Sequence, residues 1–192
     1  MKYFGATKWK RLFDIVLSFF GMIVMSPVFL VIICLLLFTP DSKVFFSHER
    51  RGRRGKPFRI YKFQTMKNSA PNCATCDLEN PEQYITKVGR VLRKTSLDEL
   101  PQVFNVIKGD MSLVGPRPII AAEIPKYGEY FADFCLVPPG ITGMWQVNGR
   151  SDTTYEERVQ MDTWYVRNWS VWIDIIYLIK TVTVVLARKG AY

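Results

Sequence analysis

The sequence predicts a mostly helical α+β protein attached to one face of a membrane, and three observations support this. Residues 12–38 form an apolar run that contains a single charge, Asp14. Ser26-Pro27 lies at the midpoint of this run, and basic residues flank both of its ends. In the rest of the chain, apolar residues recur mainly at helical spacing, with one pair of short strand patterns. We therefore expect a monotopic membrane protein with a re-entrant helix-break-helix hairpin, a small strand element and amphipathic interfacial helices, all in one domain of residues 1–192.

A membrane-spanning helix is the simplest alternative for residues 12–38. A straight helix of this length would measure about 40 Å, whereas the hydrocarbon core is roughly 30 Å thick. Pro27 would break or kink that helix and leave two halves of about a dozen residues each, which are too short to span. The basic flanks, with Lys10 and Arg11 before the run and Arg50 after it, favour the cytoplasm for both ends. A hairpin that enters the bilayer at one face and returns to it satisfies both observations.

The charge balance predicts an anionic partner. Lysine and arginine number 26 against 17 aspartate and glutamate residues, which gives a net charge of +9. Nucleic acid, anionic lipid and a phosphorylated substrate each fit that excess. His48 is the one histidine, so catalysis by a Ser-His-Asp triad or a histidine-bound metal would rest on it alone. Cys73 and Cys76 have no second cysteine or histidine pair at zinc spacing, and we interpret them as part of a loop.

Two strands, a loop and a helix are predicted between the membrane run and the middle of the chain. Residues 44–46 and 58–63 have strand patterns, and the turn between them is basic and contains glycine. The basic side chains are explained either by a solvated loop or by attraction to anionic lipid. Residues 67–82 are polar and predict a surface loop, whereas residues 83–94 predict a helix that carries Arg93 towards the next segment.

Two adjacent carboxylates, Asp98 and Glu99, stand where a helix is predicted to begin. Apolar residues at helical spacing predict this helix from the pair to Gly109, with Pro101 in its first turn and Ser96 or Asp98 as its N-cap. The dipole of such a helix would favour ionised carboxylates and attract phosphate or a cation. The alternative is purely structural, a capping box between Ser96 and Glu99 in which Asp98 has no special role.

The second half of the chain alternates irregular segments with helices. Gly115-Pro116-Arg117-Pro118 fits neither a regular helix nor a central strand, so it either holds Arg117 in place or forms a rigid corner with a solvated arginine. The elements predicted after it are a short helix over 119–131 that is broken at Pro125, a Gly/Pro-rich segment over 138–150, a helix from a Thr154/Glu157 capping box to about residue 166, and an apolar helix over 171–187. The last helix is either interfacial or docked on the soluble core.

Several motifs together establish a resemblance. They are S-L-D-E-L-P-Q at 96–102, N-V at 105–106, K-G-D-M-S at 108–112 and G-P-R-P at 115–118. With K-R-L-F-D at 10–14 and agreement up to the last residues, the chain resembles the bacterial sugar transferase family over nearly its whole length. These are monotopic phosphoglycosyl transferases of the bacterial inner membrane, which load the first sugar phosphate onto a polyprenyl phosphate carrier. The resemblance implies a membrane hairpin over 12–38 with its break at Ser26-Pro27, and a cytoplasmic catalytic part over 43–192.

The resemblance also implies the site and the reaction. Asp98 would be the nucleophile that attacks phosphorus, and Glu99 a ligand of the metal or a general base. Asp98 and Glu99 would bind Mg²⁺, the expected cofactor, which is a hard cation suited to carboxylate and phosphate oxygens. The side chains expected to bind phosphate or nucleotide are Lys62, Arg93, Arg117 and Arg150. A UDP-sugar would give UMP and a phosphosugar-aspartyl enzyme, which undecaprenyl phosphate then attacks at the cytoplasmic face of the membrane.

A second set of residues bears on the sugar. Residues 148–158 and 190–192 look like the hexose-1-phosphate branch of the family, with galactose first, glucose second and an N-acetylated amino sugar third. Members of that branch usually carry an additional membrane bundle and a soluble domain, so we expect either a minimal member or the catalytic part of a larger protein. Anionic membrane lipids are expected as further partners, and a homodimer is left open.

Two other classes of protein fit parts of the sequence. A polybasic scaffold at a membrane surface would explain the apolar hairpin and the basic flanks, and it would keep its function after substitution of Asp98 with asparagine. A nucleic-acid-binding protein would explain the charge of +9 and the aromatic residues, but it would not explain residues 12–38. Only the enzyme hypothesis also requires Asp98 and Glu99 at a helix start with Arg93 and Arg117 nearby.

Overall fold

The fold is mostly helical with small sheets, as predicted, and the computed structural model describes residues 8–71, 80–149 and 153–187. Within these ranges the chain forms helices, 3₁₀ turns and two sheets of two strands each. Three predicted features lie outside the described residues, namely Arg150, the ending at 190–192 and the cysteine pair Cys73 and Cys76.

Helix α1 spans Lys8–Leu37 and includes Pro27, so the predicted division into two helices is not seen. The backbone N–H that proline lacks would have donated to the carbonyl of Ile23, four residues earlier. The Ser26 hydroxyl donates to that carbonyl at 2.8 Å instead, which satisfies the acceptor and lets the helix continue. Within the described residues, α1 is the helix long and apolar enough to cross a membrane, with a mean hydropathy of 2.8 and 11% burial over its most apolar window.

Both ends of α1 pack on the rest of the protein, while its middle does not. Lys10, Asp14 and Ser18 are buried near the start of the helix, and Ile32 and Leu36 are buried near its end. No residue from 19 to 31 is buried. Apart from the partly buried Phe29, the middle of the helix therefore presents mostly exposed apolar side chains.

Strands β1 (Phe45–Arg51) and β2 (Pro57–Phe63) form the predicted antiparallel hairpin. The fully buried Asn105 joins this hairpin to the next helical segment. Its amide group donates to the Arg59 carbonyl at 2.7 Å, and its side-chain oxygen accepts from the Tyr61 N–H at 3.0 Å. These two bonds fix the distance between β2 and the segment that follows the carboxylate pair.

Helices α2 (Lys87–Thr95) and α3 (Gln102–Lys108) flank the carboxylate pair. Helix α2 begins four residues later than predicted because the Thr86 hydroxyl caps it, accepting from the Gly89 N–H at 2.9 Å. Gly89 also permits a close approach, since a Cβ at this position would lie 2.1 Å from the Thr65 carbonyl oxygen. The first turn of α2 is thereby held against the segment that follows β2.

Helix α3 contacts both ends of α1. The Arg11 guanidinium donates to the carbonyls of Val106 and Ile107 at the C-terminal end of α3. Phe29, which follows Pro27, has its ring centroid 5.9 Å from that of Phe104. Since α3 is only about 10 Å long, both ends of α1 meet the same small body of the protein.

The second half of the chain contains a short parallel sheet that the sequence does not predict. Strands β3 (Ser112–Val114) and β4 (Gly140–Thr142) pair in parallel. They approach closely, since a Cβ on Gly140 would lie 2.1 Å from the backbone nitrogen of Gly115, the residue after β3. The helix predicted over 119–131 is instead a series of short turns that includes α4 (Ile124–Tyr127) and α5 (Phe131–Phe134). Its expected break at Pro125 is wrong, because proline lies in the first turn of α4, where no N–H is needed.

Helices α6 (Met144–Asn148), α7 (Tyr155–Asn168) and α8 (Val171–Ala187) complete the described chain. The predicted capping box of α7 and the predicted bounds of α8 are both confirmed. Helix α8 buries Asp174 and Tyr177 against the core, while Trp172 on its other side is 75% exposed. One face of α8 is thus docked and the other is free to meet a membrane.

Candidate active site

Asp98 and Glu99 lie in a 3₁₀ turn, Leu97–Glu99, between α2 and α3. The prediction that they begin a helix is wrong, because α3 starts at Gln102 and its cap position is Pro101. The capping box between Ser96 and Glu99 does not form either. Ser96 adopts the left-handed conformation, with φ of 56°, and ends α2, so its side chain is not in the extended geometry of an N-cap. A tight turn between two helices therefore presents both carboxylates.

Lys62 of β2 bridges the two carboxylates. Its Nζ lies 2.6 Å from Glu99 Oε1 and 3.8 Å from Asp98 Oδ2. The three side chains are 24%, 32% and 14% exposed for Lys62, Glu99 and Asp98, so a substrate can reach them. The structure thus brings three of the predicted site residues together from two separate elements.

Arg93 reaches the same site from the last turn of α2. Its Nε donates to Thr65 Oγ1 at 2.9 Å, which fixes the guanidinium beside Asp98. Burial lowers the pKa of Arg93, and the charge of Asp98 opposes that shift. Arg93 therefore supplies positive charge to Asp98 from the end of α2.

The two carboxylates differ in their affinity for protons. Burial raises the pKa of Asp98 to about 6, and the neighbouring charge of Glu99 adds to the rise, whereas Lys62 and Arg93 oppose it. Burial would raise the pKa of Glu99 as well, but the Lys62 ammonium outweighs it, with help from Arg117, and holds that pKa below its usual range. Glu99 is therefore ionised throughout the physiological range, and Asp98 titrates just below it.

Arg117 lines an open cleft of about 280 Å³ together with Lys62 and Glu99. Two backbone bonds hold the segment around it. The Gly115 N–H donates to the Thr142 carbonyl at 2.9 Å, and the Gly140 N–H donates to the Pro116 carbonyl at 2.8 Å. Of the two alternatives for Gly115-Pro116-Arg117-Pro118, the structure supports the one in which Arg117 is held in place, because Arg117 is partly buried and lines the cleft.

Arg50 and His48 lie at the same cleft, although the sequence did not predict them as site residues. Arg50 lines the cleft, and its Nε donates to His48 Nε2 at 3.2 Å. Burial, and then the charges of Arg50, Lys62 and Arg117, lower the pKa of His48 to about 4, so this histidine is neutral and accepts that bond. Burial and Arg117 lower the pKa of Arg50 to about 10. The strand pattern could have predicted them, because His48 and Arg50 are two residues apart in β1 and therefore share the face of the hairpin that also carries Lys62.

The donor set at Asp98 and Glu99 fits a magnesium ion. In the described ranges no group of three or more histidine, cysteine, aspartate or glutamate side chains is placed to hold a metal. Two carboxylates beside a cationic cleft would nevertheless suit Mg²⁺, since this ion keeps water and substrate phosphates as its other ligands. Arg150, the fourth predicted phosphate ligand, lies outside the described residues.

Comparisons with known proteins show the family to which the chain belongs. The model of the family described as bacterial sugar transferase matches residues 5–188. The undecaprenyl-phosphate galactose phosphotransferase of Salmonella typhimurium is 46% identical over 199 residues, which cover 95% of this chain and 41% of that protein. The UDP-glucose:undecaprenyl-phosphate glucose-1-phosphate transferase of Klebsiella pneumoniae is 39% identical over 96% of this chain and 41% of its own length. The exopolysaccharide production protein ExoY of Rhizobium meliloti is 39% identical over 95% of this chain and 88% of its own.

The chain spans less than half the length of the galactose and glucose transferases that it matches, whereas it spans most of the exopolysaccharide protein. The family match itself spans every described residue. The chain therefore belongs to the bacterial sugar transferase family.

Proposed function

We propose that this protein transfers a hexose-1-phosphate from a UDP-sugar to undecaprenyl phosphate, releasing UMP and starting the assembly of a polysaccharide or glycoconjugate. The observation that carries the proposal is the half-buried pair of Asp98 and Glu99, bridged by Lys62 at the mouth of a cationic cleft. Such a cleft suits a nucleotide diphosphate, and the adjacent carboxylate is positioned as a nucleophile. The names of the relatives, which are undecaprenyl-phosphate transferases of galactose and glucose phosphate, support the same reaction.

In the first step, an Asp98 oxygen attacks the phosphorus that carries the sugar. An O–P bond forms, the bond between the two phosphates breaks, and UMP leaves with the electron pair. Above its pKa of about 6, Asp98 is ionised, and its raised pKa makes it a stronger nucleophile than an ordinary aspartate. Lys62, Arg50 and Arg117 line the cleft and neutralise the negative charge that gathers on the leaving phosphate.

In the second step, a phosphate oxygen of undecaprenyl phosphate attacks the same phosphorus. The new P–O bond forms the lipid diphosphate, and the Asp98 carboxylate is released. Because its pKa is held low, Glu99 is a poor general base at neutral pH and is better suited to bind a cation. Asp98 and Glu99 would together hold Mg²⁺, which would supply further neutralisation of the phosphate charges when bound.

The membrane arrangement that we propose is re-entrant, at the cytoplasmic face of the bacterial inner membrane. A spanning helix would place its two ends about 30 Å apart, on opposite sides of the bilayer. Arg11 in the first half of α1 and Phe29 in its second half, on opposite sides of Pro27, both contact the short helix α3, which favours one side of the bilayer for both halves. The exposed face of α8, with Trp172 at its start, would then lie at the interface.

Galactose is the sugar that we propose, because the relative named for galactose is 46% identical to this chain. Glucose is the competing substrate, because the relative named for glucose is 39% identical over a similar share of the chain. The test is UMP release from a panel of UDP-sugars by the purified protein in nanodiscs, with Mg²⁺ and undecaprenyl phosphate. We expect UMP from UDP-galactose, dependent on metal, and a phosphosugar adduct on the peptide that contains Asp98 when the lipid acceptor is omitted.

The Asp98→Asn variant should form neither UMP nor the adduct. The matched control is Asp133→Asn. It removes the aspartate of an ion pair between Asp133 on α5 and Arg167 on α7, in which the arginine is half exposed. UMP formation by the Asp98→Asn variant at the rate of the unsubstituted protein would exclude the covalent mechanism. Absence of UMP from every sugar by the folded protein would exclude the proposed reaction for this chain.

A further inference from the structure

An apolar groove lies between the second half of α1 and helix α2, outside the cationic cleft. Five residues from Pro27 to Leu35 form one wall, and four residues from Lys87 to Leu92 form the other. Its open volume is about 1000 Å³. Apart from Lys87, every side chain that lines it is apolar, so the groove suits a hydrocarbon rather than a sugar or a nucleotide.

The groove reaches the candidate nucleophile. Leu97 lines it, and the next residue along the chain is Asp98. Arg93 follows the lining residue Leu92 on α2 and stands beside Asp98, held by Thr65. A molecule that lies in the groove can therefore place an anionic end group near Asp98, where Lys62 and Arg93 both supply positive charge.

The outer wall of the groove belongs to the part of α1 that follows Pro27. Val31 and Leu35 are 59% and 50% exposed there, and they continue into the uncovered apolar middle of the helix. An occupant must therefore be compatible with a bilayer along its length and carry a phosphate at one end. A phospholipid has two chains that diverge at a polar glycerol, whereas a polyprenyl phosphate carries one branched chain directly on its phosphate.

We propose that this groove binds the first isoprene units of the polyprenyl phosphate acceptor and directs its phosphate to Asp98. This inference rests on the proposed function for the identity of the phosphate donor and acceptor. Helix α2 is about 13 Å long, so the groove holds the proximal units and leaves the remainder of the chain in the bilayer. Binding is accordingly expected to improve over the first few isoprene units and then to level off.

The decisive variant is Val91→Trp, which fills the groove from the α2 wall, where Val91 is 59% exposed and free to be enlarged. Val31→Trp fills it from the α1 wall. The matched control is Val24→Trp, a residue of the same helix that is 75% exposed and does not line the groove. We expect both groove variants to raise the KM for undecaprenyl phosphate in nanodiscs about tenfold, since excluding a few methylene groups from an apolar site has an effect of that size.

Single-turnover UMP release without lipid isolates the first step, and it should be equal in all four proteins. Loss of that step in the unsubstituted protein would contradict the proposed function, while leaving the groove to be tested by labelling. An equal KM for undecaprenyl phosphate in the Val91→Trp, Val31→Trp and Val24→Trp variants would contradict the proposal that the groove binds the acceptor.

The labelling probe is a polyprenyl phosphate with a photoreactive diazirine on its second isoprene unit, followed by mass spectrometry of the peptides. The label should appear on residues 27–35 and 87–97, and undecaprenyl phosphate should suppress it. Labelling confined to α8 or to residues 8–20 would overturn the proposal. Suppression by phosphatidylglycerol at equal mole fraction would show that the groove is a general lipid site, which would also overturn it.

Discussion

Two clusters in this protein have the same composition, a lysine between two carboxylates, and differ in almost everything else. In the first, Lys10 Nζ lies 2.9 Å from Asp14 and 2.7 Å from Asp174. In the second, Lys62 Nζ lies 2.6 Å from Glu99 and 3.8 Å from Asp98. None of the three side chains of the first cluster is more than 3% exposed, whereas those of the second range from 14% to 32%.

The surroundings of the carboxylates explain the difference. The Tyr165 hydroxyl lies 2.6 Å from Asp174 Oδ1, and the Trp169 indole donates to Asp174 Oδ2 at 3.0 Å. The Ser112 hydroxyl donates to Asp14 at 2.8 Å. A buried charge that is paired and hydrogen-bonded in this way locks α1, β3 and α8 together but has no freedom to react. Asp98 differs in being partly open to solvent, with 14% of its side chain exposed, whereas a raised pKa does not set it apart, because burial raises the pKa of Asp14 as well.

Removing one carboxylate from the first cluster tests this comparison most severely. Asp174→Asn leaves Lys10 buried without its closer partner, and breaking such a pair typically destabilises a protein by about 3–5 kcal/mol. We expect this loss in denaturant-induced unfolding in detergent, with unchanged single-turnover UMP release from the fraction that remains folded. Asp133→Asn, which breaks a partly exposed ion pair, should lower the free energy of unfolding by less than about 1 kcal/mol. Full stability with abolished UMP release would assign the first cluster to the chemistry.

Removing the lysine of the second cluster should have the opposite effect. Lys62→Met deletes the cation that bridges the carboxylates, and loss of one such electrostatic contact slows a reaction by about 10²-fold. Because the cluster is open to solvent, the free energy of unfolding should change by about 1 kcal/mol or less. The measurement is the rate of UMP release beside thermal unfolding. A large loss of stability would mean that both clusters are structural.

A single hydrogen bond of the first cluster gives a smaller effect. Tyr165→Phe removes the hydroxyl that lies against Asp174 Oδ1 and the Val114 carbonyl, which should lower the free energy of unfolding by about 1–2 kcal/mol. UMP release per folded molecule should not change. Phe134→Leu, a core change away from either cluster, is the control for general loosening, and a decrease in UMP release in Tyr165→Phe alone would contradict the division between the clusters.

A pH-dependent effect is expected on the stability of Asp98 variants. The pKa of Asp98 is raised from 3.8 to about 6 in the folded protein, so folding favours the protonated form. Ionisation therefore destabilises the folded state above pH 6, and this penalty disappears as the pH falls from 6 to 4. In EDTA at pH 8, Asp98→Asn should have a Tm at or above that of the unsubstituted protein, and the difference should close near pH 4. A lower Tm at pH 8 would show that the charge of Asp98 stabilises the fold.

Several elements could be predicted because their signals are local. The capping box of Thr154 and Glu157, the stop at Gly109 and the bounds of α8 each depend on residues within a few positions of one another. Ser96 misled the prediction for the same reason. Its pattern with Glu99 fits a capping box, but Ser96 adopts the left-handed conformation in which it ends α2.

Pro27 shows the same limit in the membrane helix. Proline by itself predicts a break, yet the neighbouring Ser26 hydroxyl satisfies the freed carbonyl of Ile23 and the helix continues. Whether the helix dips into a bilayer is then decided by where its two ends pack. That packing, through Arg11 and Phe29 on α3, involves residues far away in the chain.

The sequence alone was sufficient to predict the class of the fold, the family and the candidate pair Asp98 and Glu99, because periodicity and contiguous motifs are properties of neighbouring residues. Only the tertiary structure decided that Lys62 bridges this pair, that Arg50 and His48 join the cleft, and that an apolar groove ends beside Asp98. The physical reason is that charge neutralisation, burial and cavity shape depend on distances across space. Two clusters of one lysine and two carboxylates are therefore told apart by their surroundings and not by their residues.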